Sequence, residues 1–225
     1  SHVPYITTDD LNTEYNNYII IDVRSKFEFE TISILKAQNI PVENAAFISK
    51  LLEIRAKDGA RKIVFYCNGH TCKKSYKAAE KAMNAGFKNV FAYDAGIFDW
   101  VNAYPEKGIF LKESPVPLNK IAQEERFLSK FINYNELLAR SKKKDAVAID
   151  ISESFQRKAM PDIKNIEGIP AGRLVGLLAL GKYADNELLI SDAVGKKVKW
   201  LYYHLEYYGF KNYHFLEKGV LSVPQ

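Results

Sequence analysis

The sequence predicts an α/β protein of two repeated domains, each a small, mainly parallel sheet with helices on both faces. Three observations carry this reading. The tetrapeptide Gly86-Phe87-Lys88-Asn89 recurs as Gly209-Phe210-Lys211-Asn212, so the chain holds an internal repeat. An Ile-Pro pair recurs in step with it, as Ile40-Pro41 and Ile169-Pro170. Around both, short apolar strands alternate with helical stretches, a pattern that calls for crossover connections and therefore parallel pairing.

The elements follow in order. The first copy opens on an apolar strand ending in Asp, Ile19 to Asp22. After the Ile-Pro pair come a second strand, Lys62 to Tyr66, a polar loop, and a helix over Ser75 to Ala85 that stops at Gly86. That glycine suits a helix C′ position, where φ is positive. A short strand, Val90 to Tyr93, and the run Ala95, Gly96, Ile97 close the copy. The second copy repeats the order with Ala146 to Asp150, Glu187 to Ser191, a helix over Val198 to Tyr208 ahead of Gly209, Tyr213 to Leu216, and Lys218, Gly219, Val220. We place the domains at residues 1–108 and 131–225, joined by a linker over 109–130. Pro105, Pro115 and Pro117, with charged neighbours, mark Tyr104 to Leu118 as connecting chain, and Asn119 to Leu128 is expected to add a helix before the second domain.

Composition narrows the function classes. At 47% hydrophobic and 26% charged residues the chain is an ordinary globular protein, with no low-complexity tract. Its longest apolar runs, such as Leu174 to Leu180, are too short to span a bilayer. The net charge of +5 is spread along the chain, and the one dense basic run, Lys142 to Lys144, reads as a solvated turn, so a nucleic-acid partner is not expected. Two cysteines, Cys67 and Cys72, exclude a disulfide framework and leave a zinc site short of ligands; no cofactor is expected. Ser1, His2 and Val3 lack both a starting Met and a basic, apolar signal and are expected to be a cleaved or engineered end.

The chemistry concentrates where the strand Lys62 to Tyr66 meets the next helix, because open α/β sheets bind ligands beyond the carboxyl ends of their strands. The loop there runs Cys67, Asn68, Gly69, His70, Thr71, Cys72, Lys73, Lys74, Ser75. Its amides, the helix N-terminus and the two lysines would lower the thiol pKa of Cys67 and favour an anion beside it. Taken singly, a cysteine ending a buried strand is most often a small core residue, and a loop histidine a surface one. The polar residues directly after Cys67 favour an exposed bowl instead. Cys72 is open to three readings, a resolving thiol for Cys67, a second reactive thiol beside it or a helix-capping neighbour without chemistry, of which the last is preferred.

At this point the sequence resembles the rhodanese family. The resemblance rests on Ile21-Asp22-Val23-Arg24 with Glu28 and Phe29, on Asn39-Ile40-Pro41, on Tyr66 to Ser75, and on Gly96 to Trp100, in that order and spacing. It is strong over residues 5–108 and weaker over 131–225. It implies two rhodanese-like domains and a sulfurtransferase: Cys67 takes sulfane sulfur from a small sulfur-containing anion such as thiosulfate, becomes a persulfide, and yields the sulfur to a thiophilic acceptor. Residues 68–74 would bind substrate, with Asp22, Arg24, Glu28 and Ser75 in support. Arg24 is expected to pair with Glu28.

Three departures from the family pattern stand out. The stretch Thr31 to Gln38 replaces the usual Gly-His-Ile-x-Gly-Ala, and Lys74 stands where an arginine is usual. The step from Cys67 to Ser75 is eight residues, against six from Asp192 to Val198, which suits an acceptor larger than cyanide. Asp192 occupies the place of Cys67 in the second copy, so that domain is expected to be inactive and to pack against the first, although family members usually carry the active copy at the C-terminus. Two other classes compete. A cysteine phosphatase would want an arginine closing the loop, which is absent. A redox or binding module would use the Cys67/Cys72 pair without turnover.

Overall fold

A computed structural model describes residues 2–225; Ser1 lies outside the described residues. The chain divides into two compact units, the first ending at Leu118 and the second beginning at Asn119.

In the first unit α1 (Thr8–Thr13) leads into β1 (Tyr18–Asp22), followed by α2 (Lys26–Thr31), β2 (Ile32–Ile34), β3 (Gln38–Asn39), α3 (Phe47–Asp58), β4 (Lys62–Tyr66), α4 (Lys74–Asn84), β5 (Val90–Tyr93), α5 (Gly96–Ala103) and β6 (Gly108–Phe110). The main sheet runs β3-β1-β4-β5, all parallel, with Ile21 opposite Phe65 and Asp22 opposite Tyr66. β1 is buried along its whole length, which is why its sequence is a continuous apolar run rather than an alternation. One face of the sheet carries Ile19, Ile21, Ile63 and Phe65 against Phe47, Leu51 and Ile54 of α3 and Ala78, Ala79 and Ala82 of α4. Each large side chain buried there contributes about 1.5–3 kcal/mol. On the other face Trp100 of α5 meets the Tyr93 ring edge-on and stacks with Tyr15.

The second unit holds α6 (Leu118–Ile121, starting one residue before the boundary), α7 (Glu124–Leu128), β7 (Phe131–Ile132), α8 (Tyr134–Ser141), β8 (Ala146–Asp150), β9 (Glu167–Gly168), α9 (Ala171–Ala179), β10 (Glu187–Ser191), α10 (Val198–Tyr207) and β11 (Tyr213–Leu216). Its parallel sheet reads β9-β8-β10-β11-β7, the order of the first unit with one strand more at the end. In the first unit that position is held by a single bridge, Tyr5 to Ala92. α4 and α10 both end before a glycine of positive φ, Gly86 at 89° and Gly209 at 77°, as the repeated tetrapeptide requires. The α/β class with mainly parallel sheets and flanking helices is the class the sequence predicts.

Three details differ from expectation. The stretch placed in a linker is divided between the units: β6 pairs antiparallel with β2, Ile32 opposite Phe110, and Phe110, Leu111 and Val116 are buried. Apolar side chains hold this segment down despite its prolines. The replaced Thr31 to Gln38 turn supplies the other half of that pair. Residues 119–128 form two short helices, interrupted ahead of Gln123, whose φ of −128° is not helical.

Candidate active site

β1 and β4 lie side by side at the middle of the first sheet, so residues just beyond their carboxyl ends converge. Asp22 ends β1, Arg24 lies two residues beyond it, and Cys67 follows β4. Asp22 and Arg24 are fully buried and pair with each other, with Arg24 Nη2 2.7 Å from Asp22 Oδ2 and Nε 3.0 Å from Oδ1. Burial works against the guanidinium charge, and the facing Asp22 carboxylate more than offsets it, raising the Arg24 pKa above its usual value. The expected Arg24–Glu28 pair is thus corrected to Arg24–Asp22. In extended backbone residues two apart share a face, which brings Asp22 to Arg24. Glu28 instead caps α2 in a reciprocal box with Ser25.

The two meet through the loop. Asn68 accepts from Arg24 Nη1 at 3.1 Å, and its amide points at Glu28 Oε1 at 3.4 Å. Asp22, Arg24 and Glu28 therefore hold the first residue after Cys67. Tyr66 adds to the buried group: its hydroxyl accepts from the Ile34 amide at 3.1 Å, the Arg24 guanidinium lies 5.6 Å from its ring centre, and burial followed by the nearby Asp22 raises its pKa.

The loop is held from the far side by the start of α5. Gly96, at φ 79°, lies so close that a Cβ there would come within 2.5 Å of the Asn68 carbonyl carbon and the Gly69 nitrogen. The next amide, Ile97, donates to the Cys67 carbonyl at 3.1 Å. Trp100, four residues on, is buried and donates to the Lys107 carbonyl at 2.8 Å. The Gly-x-x-x-Trp spacing thus combines a close approach with an anchor for the helix that makes it.

Cys67 is 2% exposed and disulfide-bonded to Cys72, with Cα atoms 6.4 Å apart. The loop turns back between them through a hydrogen bond from the Cys72 amide to the Gly69 carbonyl. The pairing corrects the preferred reading of Cys72 as a neighbour without chemistry. His70 is exposed and lies 3.4 Å from Asp94 and 3.9 Å from Asp99, and Asp94 also accepts from the Tyr76 hydroxyl at 3.0 Å. Asp94, Asp99 and Tyr76 escaped the sequence reading, since they come from the residue after β5, from α5 and from α4, and only the fold gathers them. Thr71, Lys73 and Lys74 are exposed, the lysines at the start of α4. Ser75 is fully buried in the first turn of α4, and its hydroxyl has no hydrogen-bond partner among the described residues. Among those residues no three His, Cys, Asp or Glu side chains stand together as a metal site, and no helix is long and apolar enough to cross a membrane.

The first unit is a parallel α/β sheet with a cysteine directly after one of its two middle strands, in a loop that opens a helix. Residues 7–103 match the family model of the rhodanese-like domain. Over that stretch, which lies within the first unit, the chain is similar to the rhodanese-like domain. A tRNA uridine(34) hydroxylase of Yersinia enterocolitica is 26% identical over 111 residues, 48% of this chain and 31% of that protein. The Sodalis glossinidius protein of the same name is 27% identical over the same shares. The chain therefore matches about a third of the length of these relatives. Among solved structures, a thiosulfate sulfurtransferase from Pseudomonas aeruginosa aligns with 97% of this chain and 41% of its own, at 20% identity and a TM-score of 0.42. A rhodanese-related protein from Thermoplasma volcanium aligns with 44% of this chain and 92% of its own, at 26% identity and a TM-score of 0.37.

Proposed function

We propose that the chain is a sulfurtransferase in which Cys67, once reduced, carries sulfane sulfur from an anionic donor such as thiosulfate to a thiophilic acceptor. The observation that supports this best is the position of Cys67 at the carboxyl end of β4, in the middle of the sheet of a rhodanese-like domain, where open α/β sheets present their reactive residues. The thiolate attacks the outer sulfur of thiosulfate, the sulfur–sulfur bond breaks, and sulfite leaves with the electron pair. The persulfide that remains is itself a thiolate-like anion. Lys73 and Lys74, with the first amides of α4, supply positive field for both anions. Asp22, Arg24 and Glu28 act by positioning, through Asn68. The second unit, with a carboxylate where the thiol would be, carries no sulfur.

The disulfide favours a second reading, a redox or binding module in which Cys67 and Cys72 report oxidation state without turnover. The hydroxylase relatives would instead point to a tRNA substrate, but what they share with this chain is a third of their length. Sulfur transfer from thiosulfate by the reduced protein, with cyanide present throughout as acceptor, separates these readings. Formation of thiocyanate, missing in Cys67→Ser, is the expected result; no thiocyanate from either thiosulfate or a thiol persulfide would leave the redox module standing.

A further inference from the structure

We propose that Cys72 is a resolving thiol: once Cys67 holds a sulfane sulfur, Cys72 expels it as hydrosulfide and closes the Cys67–Cys72 disulfide. The inference rests on the sulfurtransferase reading of Cys67 and adds a second catalytic cysteine and a defined product to it.

The loop is built for this encounter. Seven residues separate Cys67 from Ser75 where the second unit has five between Asp192 and Val198 at the same junction, and the longer loop contains Cys72. The Cys72 amide bonds back to the Gly69 carbonyl, a turn that returns the chain over its own start. Asn68, at the base of that turn, is fixed by Arg24 and Glu28, and Gly96 presses on it from α5. Cys72 is half-buried against the apolar cluster that includes Cys67. The two Sγ atoms are bonded to each other with the Cα atoms 6.4 Å apart, so Cys72 reaches the Cys67 sulfur without rearrangement of the loop.

That reach decides which sulfur is attacked. In the persulfide, the Cys67 Sγ is the inner sulfur and the transferred atom the outer one. Attack of the Cys72 thiolate on the inner sulfur of the protonated persulfide, whose outer sulfur has taken a proton from water, forms the Sγ–Sγ bond and breaks the bond to the outer sulfur, which keeps that proton and leaves with the electron pair as hydrosulfide. Hydrosulfide is a weaker base than a cysteine thiolate and so the better leaving group. The two cysteines are each oxidised by one electron, and the sulfane sulfur is reduced by two. A dithiol then reduces the disulfide by exchange, is itself oxidised to a cyclic disulfide, and restores both thiols. With Cys67 buried at 2% exposure in the disulfide form, no further sulfur is accepted until that reduction occurs.

The test uses the full chain, reduced and freed of reductant, given thiosulfate or a thiol persulfide with no acceptor. In the unmodified protein we expect one hydrosulfide released per chain and an intact mass lower by two hydrogens, with little persulfide left. Cys72→Ser and Cys72→Ala should keep the added sulfur on Cys67 and release on the order of tenfold less hydrosulfide, until cyanide or a thiol is added. Equal, stable persulfide in the unmodified protein and both variants, with no hydrosulfide, would overturn the resolving role while leaving sulfur carriage intact. Failure of all three proteins to accept sulfur would overturn the sulfurtransferase reading and this inference with it. The two Cys72 variants guard against an effect of one replacement on folding.

Discussion

In the first unit the residue directly after the central strand is Cys67, bonded to Cys72. In the second it is Asp192, whose carboxylate accepts from the amides of Gly195, Lys197 at 2.6 Å and Val198 at 3.2 Å. The frame around both residues is the same. Gly219, at φ 75°, presses on Ala193 and Val194 as Gly96 presses on Asn68 and Gly69, and Val220 donates to the Asp192 carbonyl as Ile97 does to that of Cys67. The second loop therefore still builds a cradle of amides suited to an anion, but fills it with its own side chain. The support beneath differs as well. Asp22 has Arg24 and lies beside Tyr66, whereas Asp150 has Ser152 and Ser191 in their places, and Asp150 Oδ2, Ser152 Oγ and Ser191 Oγ are buried without hydrogen-bond partners among the described residues. A frame kept by backbone packing survives the loss of side-chain chemistry, since glycine contacts and amide hydrogen bonds do not depend on which residue ends the strand.

The sharpest break between the units should come at their buried aspartates. Arg24→Met strands the Asp22 charge in the core and should cost the first unit about 3–5 kcal/mol. Asp150→Asn removes a charge whose outer oxygen has no partner, and should change the second unit by less than about 1 kcal/mol. The tryptophans fall one to a unit, Trp100 and Trp200, so urea unfolding followed by fluorescence, with the other tryptophan replaced by Phe, reads each separately. Equal losses for the two variants would erase the difference claimed for these sites.

A smaller contrast is set by pH. His204 is buried in α10, and burial lowers its pKa from 6.5 to about 4. The unfolded chain thus takes up a proton below pH 6.5 that the folded unit refuses until about pH 4. Stability from this source is complete above pH 6.5 and is lost as pH falls toward 4, by up to about 3 kcal/mol. No histidine is buried in the first unit. His204→Phe should flatten the acid slope of the second unit's unfolding and leave that of the first alone; an unchanged slope in the variant would remove His204 as its cause.

Next in size is the carboxylate in the second cradle. Asp192→Ala frees three amides and should destabilise the second unit by about 2 kcal/mol, since water replaces part of what the carboxylate gave. Asp192→Asn keeps the shape and one acceptor and should cost less. Denaturation midpoints for the pair, read at Trp200, check the order, and an Asn variant as damaging as Ala would mean that charge rather than hydrogen bonding holds the loop.

Much of this contrast was legible in the sequence. The strands ending in Asp22, Asp150, Tyr66 and Ser191 declare themselves as apolar runs, and Gly86 and Gly209 mark where helices must stop. Cys67 and Asp192 could be aligned on those landmarks alone. What was hidden depends on contacts between distant segments. Ile32-Ser33-Ile34 is too short to announce a strand, and its partner lies 78 residues on, at Phe110. The expectation pairs Arg24 with Glu28, but Arg24 precedes α2, and extended backbone delivers Asp22 instead. The Cys67–Cys72 bond needed the turn at Gly69, and the carboxylates beside His70 needed the sheet to bring β5 next to β4.

The smallest expected effect concerns Lys74, exposed at the first position of α4, where the resemblance drawn from the sequence leads one to expect an arginine. An ammonium offers the donor a mobile point charge, while a guanidinium offers two parallel donors to a pair of oxyanion oxygens. On an exposed helix start most of that advantage is screened by water and salt, so Lys74→Arg should tighten thiosulfate binding by roughly two- to fivefold and leave the rate of the bound complex unchanged. The gain should shrink as ionic strength rises, which a change in loop shape would not produce. A rise in turnover rate without a lower KM would mean that residue 74 acts on the Cys67 sulfur itself, and the difference between the two loops would then extend from which anion each holds to how fast that anion is released.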